Sequence, residues 1–284
     1  MGNLSMTDSF IKYFHITLAD TAELLERTYR IRYEVYCKEF EFEREEDCPG
    51  KMEKDDYDEQ SVHSLLLHNA TGQDIGCGRL IMPHTCDAAR PLPFERYCKK
   101  SLNEKGLELL NRHRGRLGEF SRLAVIAPFR RRMEDEHKPL SYYRDYNESQ
   151  MHGRGVFPLI SLSLILAGCS MFMKTDLEYC VAMMEPRLAR LLRLCGLYFD
   201  PIGKVIDYHG KRGPFAIPRK RVLANFTPEI NKFINAIHAQ LYPFSDSLIT
   251  DKGTANKALS NTYKSPNRFD ALDALHVATR SYKA

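Results

Sequence analysis

Two arginines of this chain fall where its hydrophobic pattern points inward. A helix is expected from Asp20-Thr21-Ala22-Glu23, which reads as an N-cap followed by the acidic third position of a capping box. Along that helix Leu25, Tyr29, Arg32, Tyr36 and Phe40 recur at steps of four, three, four and four, so they share one face. Arg79 repeats the theme in a strand, where Ile75, Cys77, Arg79 and Ile81 alternate onto one side. An unpaired guanidinium in the interior costs several kcal/mol, so any fold of this sequence must bring carboxylates to both arginines. Residues 34–59 are the acidic part of the chain, with twelve Asp or Glu against four Lys or Arg. Within them Glu53-Lys54-Asp55-Asp56-Tyr57-Asp58 stands just before an expected strand, whereas Glu41–Asp47 reads as a solvated loop.

The remaining elements describe a mixed α/β sheet. Tyr13–Leu18 is a short first strand, and Ser61–His68 and Asp74–Met82 form a hairpin around Asn69-Ala70-Thr71-Gly72. Glu119–Ile126, EFSRLAVI, is a strand followed at once by Arg130-Arg131-Arg132, and Glu134–Met151 reads as a mobile loop. A buried helix, a buried strand over Leu177–Met184 and a helix opened by Pro186 and closed by Gly196 come next. Two late strands, Phe199–Asp207 and Pro214–Pro218, and an amphipathic helix over Pro228–Leu241 complete the expected domain. It spans residues 12–244, between an N-terminal tail (1–11) and a polar, mobile tail (245–284).

Several function classes are set aside by composition. A net charge of +4 is too mild to imply nucleic-acid binding. The eight cysteines form no C-x-x-C pair and no Cys/His cluster of zinc spacing, so they are expected to be thiols, and no metal is expected. The opening segment lacks a secretory apolar region, so a cytoplasmic protein is expected; its Met1-Gly2 start approaches the M-G-x-x-x-S lipidation pattern, but Met6 stands where that pattern has its serine. Gly155–Met173 raises a membrane question, being nineteen uncharged residues between Arg154 and Lys174. Pro158 and Gly168-Cys169-Ser170 cut its helix to about ten to twelve residues, the length of a buried core helix, which leaves only peripheral membrane contact open.

Four segments carry the chemistry: Arg32 in R-x-x-x-Y, the E-x-D-x-Y-D run, Gly76-Cys77-Gly78-Arg79-Leu80, and Gly118-Glu119-Phe120-Ser121-Arg122-Leu123-Ala124-Val125. In this order they resemble the acyl-homoserine-lactone synthases and their longer relatives, the N-acyl amino acid synthases and the PEP-CTERM/exosortase-associated acyltransferases, all of the GNAT superfamily. Arg32, Tyr36, Asp55, Asp58, Arg79, Glu119 and Arg122 occupy the places of the shared pattern, over roughly residues 12–215. The family tryptophan is absent, and Phe40 or Phe42 can fill its role. The arginine-rich segment after Val125, Met184-Glu185-Pro186, Ile202-Gly203 and Asp207-Tyr208-His209-Gly210 point to the exosortase-associated subgroup.

The resemblance implies a GNAT fold, a mixed central sheet splayed in its middle with helices on both faces. It implies transfer of a fatty acyl group from a phosphopantetheine thioester to the amino group of an amino acid or similar small amine. Glu119 would be the base and Arg122 would grip the acceptor's carboxylate. Arg32, Tyr36, Asp55, Asp58 and Arg79 would bind substrate or brace the site. Strict alternation puts Glu119 and Arg122 on opposite sides of their strand, so sharing a cleft requires a bulge, which would also expose a backbone N–H to an oxyanion. Acetyl-CoA-using relatives place a glycine-rich turn after this strand, yet Phe129-Arg130-Arg131-Arg132-Met133-Glu134-Asp135 has no glycine. An acyl carrier protein is therefore the expected donor and partner, with Arg130, Arg131 and Arg132 in its basic dock and no tightly bound cofactor. Residues 186–221 add a charge of +7, complementary to an acidic carrier. Phe157, Leu162, Leu166, Met171, Phe172, Met173, Met183 and Met184 are candidates for an acyl slot. An acyl-CoA-dependent enzyme, a lactone synthase and a non-catalytic lipid or amino acid-binding module are the alternatives.

Overall fold

The computed structural model describes residues 4–84, 87, 90–130, 159–250 and 254. Helix α1 (Met6–Tyr13) leads into strand β1 (Phe14–Leu18), helix α2 (Ala22–Arg32) and the hairpin β2 (Ser61–His68) and β3 (Gln73–Ile81). Helices α3 (Pro93–Cys98) and α4 (Glu104–His113) precede β4 (Leu117–Val125) and the short α5 (Ala127–Arg130). Helix α6 (Leu159–Met173), β5 (Tyr179–Met184) and α7 (Pro186–Leu194) follow. Short strands β6 (Asp200–Pro201) and β7 (Ile206–Asp207), then β8 (Lys211–Pro218), α8 (Arg219–Val222) and α9 (Pro228–Leu241) end the series. The sheet runs β1-β2-β3-β4-β5-β8-β6, with β7 added to the start of β8.

The sheet forks in its middle. Strands β4 and β5 are parallel and pair only over Leu117–Glu119 against Tyr179–Val181. Beyond Glu119, β4 continues to Val125 against β3, while β5 continues to Met184 against β8. Helices α6 and α9 pack on one face and α2 on the other. The main core lies between the sheet and α6 with α9, and a second cluster joins α2 to Leu65, Cys77 and Ala124.

Several sequence expectations are corrected here. Residues 6–13 are helical rather than a tail, because Phe10 is fully buried with its ring edge-on to Phe233 at 5.2 Å. The packed chain also passes residue 244: Leu248 and Ile249 are buried, and the Asn235 side chain donates to the Ile249 carbonyl at 2.8 Å. The α2 cap is Thr21, whose hydroxyl accepts from the Leu24 N–H, one residue later than expected. After Arg32 the helix widens into a π-helical turn over Tyr33–Glu39, which still packs Tyr36 and Phe40 beside Leu25 and Tyr29. Helix α6 runs through Gly168 to Met173 instead of ending there. Gly168 makes a close approach: a Cβ would lie 2.5 Å from the Phe120 ring, and a Cβ on Gly78 would lie 2.9 Å from the same ring. Of the proposed acyl-slot residues, Leu162, Leu166, Met171, Phe172 and Met184 are ordinary core, Met173 and Met183 are half-buried, and Phe157 lies outside the described residues. Among the described residues no helix is long and apolar enough to cross a membrane. All seven described cysteines are free of disulfides.

Candidate active site

A bulge in β4 builds the site. Cys77 faces Ala124 but Arg79 faces Ser121, so β4 carries one residue more than β3 over this stretch. Arg122 takes the extra place with φ of +52°, a left-handed backbone that a side chain rarely adopts. Phe120 and Leu123 pack toward α6, while Ser121 and Arg122 both turn toward the α2 side of the sheet. The Tyr36 hydroxyl donates to the Leu123 carbonyl at 2.9 Å, and the Arg122 guanidinium lies over the Tyr36 ring, 5.5 Å from its centre. Residues Tyr36 and Arg122, 86 positions apart in the numbering, thereby fix one another.

Arg32, Arg79 and Arg122 meet the carboxylates there. Arg32 forks onto Asp58 with contacts of 2.6 and 3.1 Å, and its Nε pairs with Glu53. Arg79 bonds Asp55 and Asp58 at 2.6 Å each and donates from Nε to Ser121 Oγ at 3.2 Å. Arg122 reaches Glu53 at 2.8 Å, Asp55 at 3.3 Å and Glu43 at 3.4 Å. Side chains of Arg32 and Arg79 are each 1% exposed, so their charges are tolerable only because they are paired. Burial alone would raise the carboxyls of Glu53, Asp55 and Asp58, but the adjoining guanidinium groups outweigh it and hold all three below the usual range. Glu43 is less surrounded, and there burial wins and pushes its carboxyl up. His63, buried beside Asp58, is driven down to about 4 by desolvation and stays neutral.

Glu119 stands apart from this network, at the fork of β4 and β5. It is 2% exposed, and its Oε2 accepts the Phe94 N–H at 2.9 Å. Burial pushes its carboxyl up to about 8; the Phe94 N–H and the charges of Arg79 and Arg122 offset only part of that effect. A carboxyl poised near 8 suits a base that must deprotonate an amine.

The structure thus brings Arg32, Asp55, Asp58, Arg79 and Arg122 into one network, with Tyr36 against it and Glu119 on the same strand. Glu53, Glu43, His63 and Ser121 belong to it as well. Glu53 opens the E-x-D-x-Y-D run and was legible there, whereas Glu43 sits in the loop read as solvated and no periodic signal marks it. Arg130 is not a free docking cation: it pairs with Glu39 and stacks over the Phe40 ring at 4.5 Å. Arg131 and Arg132 lie outside the described residues. Cys77 is packed, with its thiol pushed by burial up to about 12. Among the described residues no group of three or more His, Cys, Asp or Glu is placed to hold a metal ion.

A sheet forked at β4 and β5, with a bulged β4 and helices on both faces, is the GNAT fold. Residues 31–137 match the model of the acetyltransferase (GNAT) domain, which supports the acyltransferase expectation. The crystal structure of TofI in a ternary complex with an inhibitor and MTA is similar at 16% identity and a TM-score of 0.51, over 76% of this chain and 96% of that one. That likeness establishes the shared fold. BjaI, a CoA-dependent acyl-homoserine lactone synthase with SAM and isopentyl-CoA, is similar at 15% identity and a TM-score of 0.49, over 80% and 89% of the two chains. FeeM, an N-acyl amino acid synthase from uncultured soil microbes, is similar at 15% identity and a TM-score of 0.46, over 75% and 94%. No curated protein matches the sequence.

Proposed function

We propose that the chain is an N-acyltransferase that moves a fatty acyl group from a phosphopantetheine thioester, carried on acyl carrier protein, to the amino group of an amino acid or similar small amine. The observation that carries this reading is Glu119, buried at the fork with a carboxyl near 8. Glu119 takes a proton from the acceptor ammonium, directly or through water. The freed amine attacks the thioester carbonyl, a backbone N–H of the β4 bulge steadies the oxyanion, and the C–S bond breaks as the thiol leaves with a proton. Products are an amide and free pantetheine thiol. Neither a covalent acyl-enzyme nor a metal is part of this scheme.

Arg187, Arg190 and Arg193 support a carrier as donor. They are exposed at three-residue spacing on α7, which begins where β5 leaves the fork. An acidic carrier approaching that end would be steered by them. The subgroup reading, an exosortase-associated acyltransferase, rests on the Met184-Glu185-Pro186 turn and the late Asp207-Tyr208-His209-Gly210 stretch. Mass spectrometry of lipids from cells expressing the chain tests the reaction: a new amide-linked fatty acid is expected, absent with Glu119→Gln. Identical lipid profiles for both proteins and the empty host would overturn it.

A further inference from the structure

We propose that Cys37 and Cys48 are an oxidisable pair that closes to a disulfide and ties the loop carrying Phe42 and Glu43 to the π-helical turn. Their sulfurs lie 3.4 Å apart, and the residues are eleven positions apart in the chain. A disulfide measures about 2.05 Å, so the sulfurs need approach by only about 1.4 Å. Both residues are buried with Tyr33 in a small cluster separate from the main core. Residues 44–47 and 49–51 are exposed, so Cys48 is the one buried residue of its turn. Glu45 docks that turn from the solvent side, accepting from the Tyr33 hydroxyl at 2.6 Å and pairing with Lys38 at 2.7 Å. The thiols of Cys77, Cys98 and Cys180 are placed differently, against backbone carbonyls or the Met183 sulfur.

Cys48 meets the oxidant and Cys37 resolves the product. Cys37 is 2% exposed against 7% for Cys48, and burial with the neighbouring sulfur pushes its thiol up to about 12. The turn around Cys48 is short and lies at the surface, the kind of segment that opens locally. With hydrogen peroxide as oxidant, the Cys48 sulfur takes one peroxide oxygen and becomes a sulfenic acid; the O–O bond breaks and water leaves. The Cys37 sulfur then attacks that of Cys48, the S–O bond breaks, and the hydroxyl leaves as a second water with the Cys37 proton. The two thiols lose two electrons and the peroxide gains them. In a reducing compartment such a bond is transient and redox-sensing. Its effect reaches the candidate active site. The Phe42 and Glu43 N–H groups donate to the Tyr36 carbonyl at 2.7 and 3.2 Å. Glu43 reaches Arg122 at 3.4 Å, and Phe42 stacks on His209 with ring centres 4.4 Å apart. Closing the bond holds both residues in these contacts.

The test needs no substrate and is independent of the acyltransferase reading. Purified full-length protein, reduced and then freed of reductant, is exposed to hydrogen peroxide, blocked with N-ethylmaleimide and digested with trypsin without reduction. Trypsin cuts after Arg32, Lys38, Arg44 and Lys51, so residues 33–38 and 45–51 should appear by mass spectrometry as one cross-linked peptide. Dithiothreitol should separate it into its two parts. The oxidised protein should melt about 5–10 °C above the reduced one, the gain expected from closing a ring of this size. Cys48→Ser should abolish that difference. Free thiols at both positions after a peroxide dose that fully oxidises free cysteine would overturn the proposal. A disulfide from either residue to any other cysteine, or a lower melting temperature in the oxidised protein, would overturn it equally.

Discussion

Arg122 separates what a sequence says about a side chain's position from what it says about its task. Its place beside the carboxylates was foreseeable, but the sequence suggested a free clamp for substrate, and the structure has it braced by Glu53, Asp55 and Glu43. Lysine cannot reproduce the side-on fork on Glu53, so Arg122→Lys leaves a buried carboxylate short of a partner. The expected outcome is a loss of about 1–3 kcal/mol in stability, seen as a lower denaturation midpoint, together with reduced kcat/KM. A variant with wild-type stability and altered acceptor KM alone would restore the clamp role. Glu43 illustrates what patterning misses, because a loop carboxylate gains its partner only when the chain folds and no period announces it. Glu53 was better placed to be read, as it opens a motif, yet its bridging of Arg32 to Arg122 depends on the bulge and not on spacing.

Strand β4 carries the feature on which the site depends. Alternation alone predicted that Glu119 and Arg122 would diverge, and a bulge was the stated condition for their sharing a face; the register shift between Cys77 and Arg79 supplies it. The Tyr36 hydroxyl bonded to the Leu123 carbonyl ties that bulge to the π-helical turn. Tyr36→Phe keeps the ring under Arg122 and removes only this bond. It should cost about 1 kcal/mol, measured by denaturant unfolding, and lower kcat more than it raises KM. No change in either quantity would show that the bulge holds itself. Helix α6 taught the opposite lesson about local signals. Gly168 looks like a stop in sequence, but it is a contact surface for the Phe120 ring, a role set by a strand 48 positions away in the numbering. The two ends of the packed chain escape a sequence reading for a related reason: Phe10-Ile11 and Leu248-Ile249 are short apolar pairs in polar company, and only packing against the α6 and α9 layer reveals which residues are core.

Taken together, the molecule is a forked sheet with a paired ionic brace on one half and a lone raised carboxyl at the branch. Element order, the hairpin and the inward arginines were legible because each rests on local periodicity. The brace's wiring and the stacking of Phe42 on His209 were not, because they join segments far apart in the chain. Buried pairing fixes the geometry, and Glu119, outside that pairing, is left with a carboxyl matched to moving a proton near neutrality. As a carboxyl acts as a base only when ionised, turnover should rise as pH climbs through about 8 and level off above it. The decisive measurement is the pH dependence of single-turnover acyl transfer by the wild-type protein and by Glu119→Gln. Loss of at least 100-fold in rate in the variant, with the ionisation near 8 gone and only that of the free amine left, is the predicted result. Equal rates and superimposable profiles would contradict it and remove Glu119 from the chemistry.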